Sequence, residues 1–193
     1  MINITQQELI QLQKESQVRL PDDLERIVST QEDASLKSPG VIAHYYRFFY
    51  FLVQNVKPDI VLEIGTHTGI SAACLAQGWP GGKVYSLDHK NYLMKECIRD
   101  NITYIHQDSL ELVNEAGSNI DILFIDTNHN GKRPLKEYLL YKDRMSQNGL
   151  IFFDDVYLFD DMKKFWQEFE PERGIKFDLD VHGKAGFGVI KMA

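Results

Sequence analysis

Asp126, the adjacent pair Asp154-Asp155 and His129 are the residues of this chain best suited to chemistry. Each acid closes an apolar, strand-like run: Ile120-Asp121-Ile122-Leu123-Phe124-Ile125 precedes Asp126, and Leu150-Ile151-Phe152-Phe153 precedes Asp154. As neighbouring strands these runs lie about 4.8 Å apart, so their terminal carboxylates converge. Two ionised carboxylates that close repel, which leaves either a shared proton or a cation between them. With Asp155 as a third donor, an all-oxygen cluster without Cys suits Mg²⁺, Mn²⁺ or Ca²⁺, and a Mg²⁺ site keeps water positions that a substrate oxygen can enter. His129, in the loop Asp126-Thr127-Asn128-His129, is the candidate general base for a proton on that oxygen, with Lys132 as a fallback.

A second constellation lies upstream. Ile60 to Ile64 reads as a strand covered on both faces, broken by Gly65-Thr66-His67-Thr68-Gly69 before Ser71-Ala72-Ala73 starts a helix. The two glycines let the backbone approach a ligand, and the free N–H groups of the helix start face the same space, which makes this a nucleotide-type site. It is not the dinucleotide fingerprint G-x-G-x-x-G, because His67 stands where the second glycine belongs. The next strand, Lys83 to Leu87, ends in Asp88. Glu63, Asp88, Asp126 and Asp154-Asp155 thus put acids at four strand ends, the edge where open α/β sheets bind ligands.

The acid before the first glycine, the G-x-x-x-G turn and Asp88 at the end of the following strand resemble motif I of the class I S-adenosylmethionine methyltransferases. Phe124-Ile125-Asp126 and Ile151-Phe152-Phe153-Asp154-Asp155-Val156 look like the metal-binding strand ends of the divalent-metal-dependent small-molecule O-methyltransferases. The catechol-type branch usually has Asn as third ligand. The branch that modifies sugars and antibiotic scaffolds has the Asp-Asp found here, although it often carries an Asp where this chain has Asn128. The resemblance runs from about Pro58 to Val156, with Gly186-Phe187-Gly188-Val189-Ile190 as a closing hairpin strand.

Carried over by residue, the resemblance implies that Glu63, Gly65 and Ser71 surround the methionine part of S-adenosylmethionine, with Thr66 and Gly69 in the same loop, and that Asp88 accepts the ribose hydroxyls. Gln107-Asp108-Ser109 matches the segment along the adenine edge, with Gln107 in place of the family's glycine, so Asp108 and Ser109 join the cofactor set. Asp126, Asp154 and Asp155 become the ligands of Mg²⁺ or another divalent cation, and Asp126 and His129 the catalytic pair. The implied reaction is methyl transfer to a hydroxyl of a small molecule. Its rivals are a metal-independent enzyme of the same class acting on nitrogen or carbon, a non-catalytic cofactor-fold scaffold, and a nicotinamide oxidoreductase.

These residues need an α/β frame. Alternating strand-like and helix-like stretches from about Ile60 predict a doubly wound, mostly parallel seven-stranded sheet of the Rossmann-like kind, spanning residues 39–193 after an N-terminal helical arm at 1–38. The arm reads as polar helices at Thr5 to Gln17 and Asp22 to Ser29, lying on the core or on another subunit. Ser38-Pro39 reads as a helix start. The helix that follows carries Tyr45-Tyr46-Arg47-Phe48-Phe49-Tyr50-Phe51-Leu52, apolar around nearly its whole circumference. It is read as wedged between sheet and arm. A sharper reading gives one face to a homodimer contact or an acceptor pocket.

Further helices are expected at Ser71 to Gln77, Asn91 to Arg99, Ser109 to Ala116, Lys132 to Met145 and Leu158 to Phe169. Short strands are expected at Thr103 to Ile105 and Leu150 to Phe153, the latter after an Asn148-Gly149 turn. Ile175 to Asp180 and Gly186 to Met192 read as a closing pair joined by His182-Gly183-Lys184-Ala185.

A length of 193 residues suits one core. A formal charge of −7 argues against nucleic acid as a partner, because phosphate backbones are held by Lys and Arg. The longest greasy stretch, Tyr45 to Val53, is too short for a bilayer span and no signal peptide is visible, so no membrane partner and a cytoplasmic location are expected. Cys74 and Cys97 lack metal-type spacing and read as reduced core thiols.

Overall fold

The computed structural model describes residues 2–16, 19–34, 41–111, 114–180 and 185–193. Seven strands form one sheet in the order β3-β2-β1-β4-β5-β7-β6. They are β1 (Ile60–Ile64), β2 (Lys83–Asp88), β3 (Ile102–His106), β4 (Ile120–Ile125), β5 (Met145–Phe153), β6 (Ile175–Leu179) and β7 (Phe187–Lys191). All pairings are parallel except those of β7 with β5 and β6. Chain order reverses on either side of β1, whose neighbours are β2 and β4, and that switch point opens a crevice at the carboxyl ends of the strands.

Strand alternation divides the core. Ile122, Phe124, Leu150 and Phe152 face one side, where α1 (Gln6–Glu15), α3 (Val41–Val56) and α4 (Ile70–Gly78) cover them. Leu123, Ile125, Ile151 and Phe153 face the other, under α5 (Lys132–Tyr141) and α6 (Asp160–Glu168). On the first side α3 sets Phe48 and Phe49 among Phe124, Phe152 and Phe187, with the Phe49 and Phe124 rings 4.6 Å apart. The wedged reading of this helix therefore holds.

The arm is less polar in effect than in composition. A capping box between Thr5 and Glu8 starts α1, whose Leu9 and Leu12 enter the main core. Leu24, Ile27 and Val28 of α2 (Asp22–Ala34) pack with Ile70, Ala73 and Cys74 of α4, and Asp23 pairs with Arg99 at 2.9 Å. The arm lies on its own core. The helix start at Ser38-Pro39, the boundary at residues 38/39 and the turn at 182–184 lie outside the described residues. No helix among the described residues is long and apolar enough to cross a membrane.

Three expected helices differ. Asn91 to Arg99 is an irregular segment with a single 3₁₀ turn at Lys95–Cys97. Its backbone is drawn to the glycine loop, with Met94 N–H donating to Thr68 O at 3.1 Å, and Leu93 and Met94 pack against the α2–α4 core. The described part of Ser109 to Ala116 is turns, because the Asp108 carboxylate accepts the Leu110 N–H at 2.9 Å and holds a local turn instead of a helix start. Helix α5 stops at Tyr141, a 3₁₀ turn covers Lys142–Arg144, and Met145 already begins β5. Asn148-Gly149 accordingly falls inside that strand as a bulge: Ile120 faces Met145 while Ile122 faces Leu150, and Asn148 adopts a φ of 63°.

Candidate active site

The glycine loop is shaped by its neighbours. Gly65 (φ 111°) donates its N–H to Leu87 O at 2.8 Å, and Asp126 N–H donates to Ile64 O at 2.8 Å, binding the ends of β1, β2 and β4 together. Gly69 (φ 85°) caps α4 beneath Leu93 and Tyr104. Beside this loop lies an open cleft of about 490 Å³ lined by Gly65, Leu87, Asp88, Ser109, Asp126 and Arg133, within the size range of ligand sites.

Asp88 is pinned at the cleft wall. Its Oδ2 accepts the His67 N–H and its Oδ1 the Lys90 N–H, both at 2.9 Å, and each oxygen has capacity for a further bond. Glu63, Thr66 and Ser71 are buried. The Glu63 Oε2 accepts a hydrogen bond from Ser86 Oγ, which stands 2.7 Å from Thr66 Oγ1, while Oε1 is buried without a partner. Burial pushes the Glu63 carboxyl up to about 8, against hydrogen bonds from Ser71 and Ser86 and with the help of the Asp126 and Asp88 charges. Glu63 therefore lies behind the loop and not among the residues lining the cleft.

Ile125 pairs with Phe153, so Asp126 and Asp154 leave the sheet side by side, and Asp154 N–H donates to Ile125 O at 3.0 Å. His129 closes the group. Its Nε2 is 3.7 Å from Asp126 Oδ1 and 3.2 Å from Asp155 Oδ2, and its ring stacks on Phe159 at 4.6 Å. Potential ligand atoms of Asp126, His129 and Asp154 all lie within 4.8 Å of one another, a donor set and spacing that fit a hard divalent cation. Burial lowers the His129 pKa, but the bond to Asp126 and the charges of Asp155, Asp126 and Asp154 outweigh it, and the net direction is upward. From α3, Tyr45 and Tyr46 stand in the field of the same acids. Burial first, then those charges, hold both phenols protonated.

The sequence reading did not single out Arg133, Glu137 or Thr127. Arg133 reaches Asp108 Oδ1 (2.5 Å), Ser109 Oγ (2.8 Å) and Glu137 Oε1 (3.0 Å), and Glu137, fully buried on α5, also accepts from Ser109 and Thr127. The Leu110 N–H and then Arg133 keep Asp108 below the usual carboxylate range. The signal was the i,i+4 spacing of Arg133 and Glu137 with Glu137 beside Tyr138 on the covered face of the helix.

Residues 62–156 match the sequence model of a family described as "Methyltransferase domain". A curated relative, uncharacterized protein R132 of Acanthamoeba polyphaga mimivirus, is 24% identical over 156 residues, covering 69% of this chain and 70% of that protein. Among solved structures, the S-adenosylhomocysteine-bound methyltransferase PaMTH1 of Podospora anserina superposes with a TM-score of 0.73 at 16% identity, over 100% of this chain and 98% of its own. The O-methyltransferase TomG of Streptomyces achromogenes, solved with S-adenosylmethionine, gives 0.68 at 15% identity over 99% and 100%. Residues 62–156 thus match a methyltransferase-domain family, and the chain has the Rossmann-like fold of these solved methyltransferases.

Proposed function

We propose that the protein methylates a hydroxyl group of a small molecule with divalent-cation assistance. The observation that carries this reading is the meeting of Asp126, which lines the switch-point cleft, with Asp154 and His129. Asp88, Gly65 and the Asp108-Ser109 turn line or border the space for the adenosyl donor, which supplies a methyl group on a sulfonium. Asp126 and Asp154 would hold the cation, since a Mg²⁺ site needs only one or two carboxylates besides water; Asp155 is the third oxygen that the sequence offers. When bound, such an ion lowers the pKa of a coordinated hydroxyl and fixes its position.

The chain's own residues do the rest. His129, steadied by Phe159 on its face, is placed to receive the acceptor proton as the new oxygen–carbon bond forms and the carbon–sulfur bond breaks. Tyr45 and Tyr46, protonated, are hydrogen-bond donors beside the same acids. Asp154 is buried while Asp126 faces the open cleft, so the pair joins the interior to the space where an acceptor would enter.

The test is S-adenosylhomocysteine formation from S-adenosylmethionine across a panel of phenols, sugars and polyketide alcohols, with Mg²⁺ and with a chelator. Product with Mg²⁺ and its loss on chelation are expected. Undiminished turnover in chelator would favour the metal-independent enzyme acting on nitrogen or carbon. Absence of S-adenosylhomocysteine binding by calorimetry would overturn the methyltransferase reading.

A further inference from the structure

The irregular segment at 91–99 lies directly against the glycine loop. A Cβ built on Gly69 would meet Leu93 Cδ1 at 2.6 Å and Cys97 Cβ at 3.2 Å, and the Met94 N–H donates to Thr68 O at 3.1 Å. Tyr92, at the start of the segment, lines the cleft together with His67 and Lys90. A stretch with a single 3₁₀ turn has little regular bonding of its own to keep it in that place.

Arg99 supplies what the backbone lacks. Its Nη1 donates to Glu96 O at 2.7 Å and to Ile98 O at 2.9 Å, its Nε to Gln77 Oε1 on α4 at 2.9 Å, and its Nη2 to Asp23 Oδ2 on α2 at 2.9 Å. Gln77 Nε2 donates to Asp23 Oδ1 at 3.0 Å, which closes a triangle of side chains. That triangle joins the N-terminal arm, the helix opened by the glycine loop, and the segment lying on the loop. Only a guanidinium, with five donors in a fixed fork, can serve all of these acceptors at once. The apolar contact of Leu24 and Ile27 with Ile70 and Ala73 backs the triangle on its inner side.

We propose that Arg99 is a positioning residue for the S-adenosyl donor and that the arm helix α2, through Asp23, belongs to the donor site. By holding the carbonyls of Glu96 and Ile98, Arg99 keeps Leu93 and Met94 against Gly69 and Thr68, while Asp23 and Gln77 keep Arg99 itself in place. The glycine loop is then set before the donor enters, and binding does not have to order the segment first. Coupling of this kind is reciprocal: a donor that needs the ordered segment must in turn stabilise it, and α2 with it. The inference rests on the donor site proposed above and involves neither the acid cluster nor a cation.

The test combines calorimetry with S-adenosylhomocysteine and amide hydrogen exchange, both on the full-length protein. Arg99→Met should weaken binding by more than about tenfold, since it frees two carbonyls and two side chains. Asp23→Ala, at a position 49% exposed, should weaken it by about threefold, the scale of a partly exposed ion pair, and keeps the test open should Arg99→Met not fold. Asp22→Ala removes the neighbouring acid of the same helical turn, whose partner is the exposed Arg19, and should leave affinity unchanged; it controls for the loss of charge at the helix start. A tie that served stability alone would not transmit binding. In the wild type S-adenosylhomocysteine should slow exchange at Met94, Cys97 and the α2 amides of Leu24 to Val28, and in Arg99→Met the slowing on α2 should vanish. Unchanged affinity in both Arg99→Met and Asp23→Ala, or an equal loss in Asp22→Ala, overturns the proposal. A wild type that does not bind S-adenosylhomocysteine sinks the donor reading; exchange at Met94 and Cys97 in the unliganded proteins then decides whether Arg99 holds the segment, and equal rates in wild type and Arg99→Met overturn that as well.

Discussion

A Cβ built on Gly65 would stand 1.7 Å from the backbone oxygen of Asp126. The glycine of the donor loop and the first acid of the cluster are therefore in backbone contact, and the two halves of the proposed site share one wall. With φ at 111° as well, no L side chain fits without moving β4. Gly65→Ala should cost about 3 kcal/mol or more, the upper end for overpacking. Urea denaturation should register this, and calorimetry should find S-adenosylhomocysteine binding lost in whatever fraction stays folded. A variant as stable as the parent would show that the loop is free to move away from Asp126.

Glu63 predicts an unusual pH dependence. Its folded pKa of about 8 lies above the ordinary 4.5, so the folded state keeps a proton that the unfolded state releases. The sign follows: its contribution lowers stability progressively as pH rises from about 4.5 to about 8 and is flat beyond. Glu63→Gln removes that slope. Compared with wild type, the variant should gain on the order of a few kcal/mol between the two ends of that window and match it at the acid end. Parallel curves for the two proteins would mean that Glu63 is ionised in the fold.

How far the sequence revealed these features depended on whether local pattern and tertiary demand agreed. Strands such as Ile120–Ile125 and the loop after Ile64 were readable because covered parallel strands are continuously apolar and the turn needs glycine. The segment at 91–99 carries helix-forming residues, yet its backbone bonds to Thr68, a partner over twenty positions back that no local window contains. The burial of Glu63 was not legible in its neighbours along the chain, because Ser86 on the adjacent strand holds its carboxyl in the interior. Arg133 and Glu137 passed unnoticed since an i,i+4 ion pair ordinarily signals a solvated helix face.

Asp88 offers a direct test of the donor site proposed above. Its oxygens already accept two backbone N–H groups, so Asp88→Asn sets an amide NH₂ against one of those donors and removes the negative charge. Charge-assisted bonds contribute about 1.5–3 kcal/mol, which corresponds to a loss of roughly tenfold to a hundredfold in affinity. Calorimetry with S-adenosylhomocysteine should read that loss. Affinity within twofold of wild type would move the ribose elsewhere.

Asp126 and Asp154 should be unequal to the other acids of the cleft in cation binding. Replacing either by Asn should lower Mn²⁺ affinity by more than about a hundredfold, above the range typical of residues that only support a ligand. Asp108→Asn, on the far wall beside Arg133, should leave it unchanged. Titration followed by Mn²⁺ electron paramagnetic resonance separates the two cases. An equal response from all three would mean that the ion is held by general negative charge and not by a defined site.

Arg133 and Glu137 connect the Asp108-Ser109 turn to the loop after β4, and their energetics should be strongly non-additive. Glu137 is fully buried and Arg133 supplies its only cation among the described residues, so Arg133→Met leaves a charge in the interior with hydroxyls alone. Removing one partner of a buried pair costs about 3–5 kcal/mol, and the partial exposure of Arg133 places this case near the lower figure. Glu137→Gln keeps the hydrogen bonds of Ser109 and Thr127 and should cost less. In the double variant the neutral amide no longer needs its counter-charge, so the combined loss should fall short of the sum by about 1 kcal/mol or more. Chemical denaturation of the four proteins closes this cycle, and simple additivity would show that water, not Arg133, compensates the Glu137 charge.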